Sequence, residues 1–185
     1  MRLMTREDIL RSVSTPGGPL QIGNFAPEQL QHTSYYIRLG SVFHRRSQGI
    51  VDEPAKLDDL RFMLHFSAGE YVSVTSFETF RLEATVMALL GNASSVADDG
   101  ITVSTGLTID PLFPADAVSA PLQFGVKNEN IDSAAIRFKD NIAKVCFFDV
   151  SDSGPMEVVP GSRSEQTFSE RRSIRAMDAT LKDGN

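Results

Sequence analysis

The sequence predicts a mainly β protein, and three observations carry that prediction. Short segments rich in Val, Ile, Thr and Phe run through its middle, and these residues suit a pleated, half-buried surface. Clusters of Gly, Asn, Asp and Pro separate the segments, and these are the residues that turn a chain. Alternation is clearest over Tyr71 to Thr75, where Val72 and Val74 share one face. Several short strands at this spacing make a sandwich or a barrel.

Taken in order, the chain opens on a helix. Thr5 followed by Asp8 is an N-cap pattern, and Ile9, Leu10 and Val13 come after it at helical spacing. The helix should stop before the segment Ser14 to Pro19, because Pro16, Gly17 and Gly18 cannot continue it. Strands are then expected over Glu70 to Leu82, Gly100 to Thr105, Ala120 to Asn128, Ala134 to Phe138 and Asn141 to Val150. From Gly154 to Ser169 the composition is polar with Pro, Gly and Ser, which reads as a linker. Beyond it Ile174, Met177 and Leu181 form one thin helical stripe, a C-terminal helix that needs something to pack on. The expected division is a β-rich domain over 1–150, helix included, and a linker and tail over 151–185.

Composition excludes several classes of function. The 185 residues carry 18 Lys+Arg against 24 Asp+Glu, a net charge of −6, which argues against a dedicated duplex-DNA binder. No apolar run approaches the ~20 residues that span a bilayer, so an integral membrane helix is not expected. The charged N-terminal segment lacks a signal-peptide apolar region, and Cys146 stands alone, which together point to a reducing, cytoplasmic setting. His32, His44 and His65 are scattered away from Cys146, so no metal site is expected on them, and Cys146 reads as a small buried apolar residue.

Sequence motifs narrow this further. The opening Met1 to Leu10, the stretch Phe25 to Gly40 with its Glu-Gln-Leu-Gln element and Arg-Leu-Gly ending, and the stretch Thr75 to Pro111 with a Ser-Ser pair, a Gly five residues on and an Ile-Asp-Pro occur in that order. With Leu122 to Asn128 and Asn141 to Val150 they resemble the dCTP deaminases, over roughly residues 1–150. That family shares its fold with the trimeric dUTPases. The resemblance therefore implies a distorted jelly-roll β-barrel with an N-terminal helix and a C-terminal helical tail. It also implies a homotrimer binding pyrimidine deoxynucleoside triphosphates, dCTP or dUTP, between subunits, with Mg²⁺ entering only as part of a metal–nucleotide complex.

The resemblance also assigns roles. Ser94 and Ser95 fall on the pair whose hydroxyl and N–H donors hold the triphosphate, as oriented donors at a turn can. Asp110 falls on the carboxylate with which dUTPases activate the attacking water, and Phe113 on the aromatic that packs deoxyribose. Each has a plain structural reading beside it: a polar turn for Ser94 and Ser95, a turn-initiating Asp-Pro for Asp110, core for Phe113.

Other family positions are replaced. Counting back from Asn128, the glutamate that moves protons in deamination falls on Gly125, and the segment Pro111 to Asn128 holds no Glu, its one acid being Asp116. The family's arginine after the Ser-Ser pair falls on Asp98, an anion that repels phosphate. The aspartate that helps hold the metal-bound triphosphate falls on Tyr36, a poor ligand for Mg²⁺. Lys144 stands where the family has Gln, either serving phosphate or lying solvated on a strand. Arg163, Arg171, Arg172 and Arg175 in the tail could reach a neighbouring subunit's phosphate or form a solvated helix face. Three readings stay open: an enzyme on dCTP or dUTP, a catalytically inactive nucleotide sensor, or a structural or regulatory trimer that offers its tail to a protein partner.

Overall fold

The chain is seen in a computed structural model that describes residues 1–47, 50–51, 55–56, 63–104, 106, 108–114 and 119–154. A short strand, β1 (Arg2–Leu3), precedes the helix α1 (Arg6–Ser14). Thr5 caps α1 as the sequence predicts. Its hydroxyl accepts from the Asp8 amide while the Asp8 carboxylate accepts from the Thr5 amide, a reciprocal capping box. Ile9 is fully buried, Leu10 and Val13 pack against the core, and the helix ends before Pro16.

Strands make up most of the rest: β2 (Leu20–Gly23), β3 (Tyr35–Ser47), β4 (Ile50–Val51), β5 (Ala55–Lys56), β6 (Met63–Phe66), β7 (Tyr71–Leu82) and β8 (Val86–Asn92). A short helix, α2 (Ser94–Asp98), leads into β9 (Ile101–Ser104) and β10 (Thr108–Ile109). Then come β11 (Ala120–Asn128), β12 (Ala134–Arg137) and β13 (Asn141–Asp149). The five strands expected from sequence are β7, β9, β11, β12 and β13, each end within one residue of its expected place.

Pairing is antiparallel throughout, in one curled sheet of order β10-β8-β13-β3-β7-β11-β9. To it β1 adds at β13, β2 at β7, and β4 and β5 at β3, while β6 and β12 form a separate pair. The long strand β3 is the corner. Its first part, Tyr35 to Arg38, pairs with β13, and from Leu39 onward it pairs with β7. The two halves of the sheet thus face a shared core, in which Ile37 and Leu39 meet Val72, Val74, Phe80, Val126, Val145 and Phe147. Along β7 the alternation runs the whole length, with every second residue from Val72 to Leu82 buried, Ser76 and Glu78 among them.

Two expectations change. The segment holding Ser94 and Ser95 is the helix α2, not a polar turn, because Ala93 and Val96 bury an apolar edge beneath it. Cys146 is not a core residue. Val145 and Phe147 take the inward positions of β13, and strand alternation leaves Cys146 half-buried on the outward face. Burial there still pushes its thiol above the ordinary value, against a smaller opposing effect of Lys144. The expected linker, apart from Gly154, and the C-terminal helix with its arginines lie outside the described residues, as does Asp116.

Candidate functional site

Asp110 follows β10, whose residues pair with Ala88 and Leu89 along β8, and its carboxylate is exposed. Phe113 turns the other way. It is half-buried against the core, and its carbonyl accepts from the Leu82 N–H at 2.7 Å. Between them Leu112 adopts φ 64°, a region that bulky side chains rarely enter. This tight turn leaves Asp110 exposed and Phe113 half-buried, one side of its ring against the core.

Ser94 and Ser95 begin α2 and are both exposed, and Asp98 closes the same helix, also exposed. They do not meet Asp110. Ile109 pairs with Ala88 near the start of β8, whereas Ser94 lies just past its end, so at about 3.3 Å per residue the two stand roughly 20 Å apart. One copy of the chain therefore keeps the serine pair and the carboxylate apart.

The corner strand does bring Tyr36 and Lys144 together. They lie directly opposite on β3 and β13, with the Lys144 ammonium 4.6 Å from the Tyr36 ring centroid, a cation–π contact. On its other side Lys144 faces Gly91, where a Cβ would meet nothing within 4 Å. A phenol lying under an ammonium does not fit a divalent cation, which needs anionic or carbonyl oxygens and is repelled by the neighbouring charge. No group of three or more His, Cys, Asp or Glu converges as a metal ion would require among the described residues.

Gly125 is the informative replacement. It is buried in the middle of β11, between Ser73 on β7 and Ser104 on β9. A Cβ added to it would fall onto the Tyr71 hydroxyl and against the edge of that ring. Glycine here marks a close approach by another group, and even alanine would displace the phenol. Tyr71 was not singled out from sequence. The available signals were a glycine in the centre of a strand and an aromatic at an outward position of β7, and neither says that the two touch.

No protein-family profile and no curated protein sequence matches the chain. Solved structures do. The 2′-deoxycytidine 5′-triphosphate deaminase of Agrobacterium tumefaciens superposes with a TM-score of 0.61 at 15% identity, over 79% of this chain and 48% of that one. The fold is that of the dCTP deaminases and dUTPases. The chain spans about half the length of that deaminase. A dUTPase variant from phage phi11 of S. aureus, described with a structural Mg(II) ion, gives a TM-score of 0.47 at 12% identity over 78% of this chain and 98% of that one. The dUTPase of Staphylococcus bacteriophage 80alpha with dUPNHPP gives 0.47 at 12% over 82% and 96%. Within the deaminase/dUTPase fold, then, this chain has Gly125 under Tyr71, Tyr36 under Lys144, and an exposed Asp98 at the end of α2.

Proposed function

We propose that the chain binds a pyrimidine deoxynucleoside triphosphate, dCTP or dUTP, at sites formed between copies in a homotrimer, and that it does not deaminate cytosine. The observation that carries the second half is Gly125 itself, which supplies no proton-transferring carboxylate and whose side-chain space the Tyr71 phenol occupies. The first half is supported by the fold and by the separation of Ser94 and Ser95 from Asp110, since groups that one copy keeps apart can meet across an interface. Subunit packing has a surface to use. On the outward face of β1, β13 and β8, Leu3, Phe148 and Met87 lie side by side in register, and Cys146 faces Leu89 beside them. Contiguous apolar surface of this kind marks a place where another protein surface packs.

In this reading Ser94, Ser95 and Lys144 serve the phosphates and Phe113 flanks the sugar. The barrel domain of residues 1–150 is the binding unit, and the tail of 151–185 meets a protein partner. The setting is cytoplasmic, on the strength of the lone Cys146, which suits a reducing compartment. A second reading, dUTP pyrophosphatase, is favoured by the exposed Asp110 carboxylate, the group that would take a proton from water.

Calorimetry with the four deoxynucleoside triphosphates, and chromatography after incubation with dCTP and dUTP, test both. The expected result is binding of dCTP or dUTP with no ammonia released. Ammonia release from dCTP would overturn the absence of deamination, and a chain that binds none of the four would leave the structural or regulatory trimer. Pyrophosphate released from dUTP and lost in Asp110→Ala would establish the second reading.

A further inference from the structure

The outward face of β7, β11 and β9 carries groups to which the phosphate-binding part of that reading gives no role. Ser73 and Ser104 flank Gly125 directly, one on each neighbouring strand. Both alternate with inward valines, Val72 and Val74 on β7 and Val103 on β9, so both hydroxyls lie on the outward face. Tyr71 shares that face, is 44% exposed, and lays its phenol across the space that Gly125 leaves. On the same face Lys127, directly opposite Tyr71, is paired with Glu129 at 2.7 Å, and His44 on β3 lies directly opposite Ser73. Three hydroxyls thus surround a position with no side chain, and none of the three carries a charge.

That chemistry selects a ligand class. A hydroxyl both donates and accepts, so such a group matches an uncharged planar edge on which donors and acceptors alternate. It offers a phosphate no countercharge. We propose that Tyr71 is a specificity-determining residue that hydrogen-bonds the base of the bound pyrimidine nucleotide, with Ser73 and Ser104 beside it, and that Gly125 is the residue that admits its ring. The inference rests on the nucleotide-binding reading above and adds to it the residue that reads the base.

Calorimetry of the full chain with dCTP and with dUTP tests it. Tyr71→Phe keeps the ring and removes one hydrogen bond, so affinity should fall about 3- to 10-fold, and the ratio of dCTP to dUTP affinity should change, with the melting temperature unmoved. A merely structural Tyr71 would leave that ratio alone. Wild-type affinity and selectivity in Tyr71→Phe overturn this inference while nucleotide binding stands, whereas a wild-type chain that binds neither nucleotide overturns both. The Gly125–Tyr71 coupling is read separately from melting temperatures. Gly125→Ala should destabilise the native chain but not a Tyr71→Ala background, and an equal loss in both backgrounds overturns the claim that Gly125 admits the ring.

Discussion

Glu78 is the one carboxylate carried fully into the core among the described residues, and the fold is arranged around satisfying it. Its oxygens accept from Arg38 Nε at 2.6 Å, from the Arg38 amide at 2.9 Å and from the Tyr35 hydroxyl at 3.4 Å. Arg38 is itself tied to the Asn24 carbonyl at 2.7 Å and lies over the Phe77 ring. Burial lifts the Tyr35 hydroxyl to about 12, so it stays a neutral donor here. Removing one partner of such a pair strands the other, at a cost of about 3–5 kcal/mol. Glu78→Ala should therefore lower the melting temperature by roughly 10 °C, at about 2–4 °C per kcal/mol for a chain of this size. A shift under about 2 °C would mean that Arg38 finds water instead. At the other end of the titration range, Asp8 is held well below the ordinary 3.8, first by its hydrogen bond from Arg2 and then by the Thr5 amide. Because the folded value is depressed, this stabilisation is present above the unfolded value and is lost as pH falls below it. Arg2 is exposed, so the Thr5 cap is the part that salt will not screen. Asp8→Asn should cost about 1 kcal/mol at neutral pH and flatten the fall in thermal stability below about pH 4, measured by melts across that range.

Among the elements, β3 decides the shape, because one strand serves both halves of the sheet. It changes partner between Arg38 and Leu39, and Gly40 lies in the register shift that follows, between Leu39 and Phe43. A Cβ at Gly40 would lie 2.5–2.6 Å from the backbone oxygens of Ser76 and Thr75. Backbone cannot move aside as a side chain end can, so Gly40→Ala should cost about 1–3 kcal/mol in denaturant unfolding. Gly91→Ala, where the added carbon meets nothing, is the control and should be near neutral. Legibility at this scale follows the contrast between strand faces. The strand β7 is readable because buried valines alternate with Ser and Thr, whereas β8 has Val86 and Ala88 inward and Met87 and Leu89 outward. With apolar residues on both faces no period appears, and Met, Ala and Leu carry no strand preference of their own, so β8 is invisible to pattern alone. Ser94 and Ser95 illustrate the opposite limit: their positions are legible, but their distance from Asp110 depends on how β8 and β10 pair.

For the whole molecule, the net charge of −6 and the exposed Asp98 make a triphosphate site harder to build from one copy. In the proposed homotrimer, assembly would gather the groups that a single chain separates. Light scattering should return three times the chain mass, and deleting residues 162–185 should leave that value unchanged. Met87→Glu, placing a charge in the apolar outward face, should dissociate the particle and abolish nucleotide binding together. A monomeric wild-type chain would overturn the homotrimer and with it the shared site.

What the sequence by itself determined is what alternation and local chemistry can specify. It determined the β class, the strands with one polar and one apolar face, the capped helix at Thr5, and a motif order shared with the deaminase and dUTPase fold. Each of these depends on residues close together in the chain, and the physics that sets them acts over one turn or one pleat. Tertiary structure alone decided that Glu78 lies buried against Arg38, that Cys146 faces outward, that Tyr71 fills the space above Gly125, and that the serine pair stands a strand's length from Asp110. Those facts depend on register between strands distant in sequence, and a shift of one residue would exchange every face.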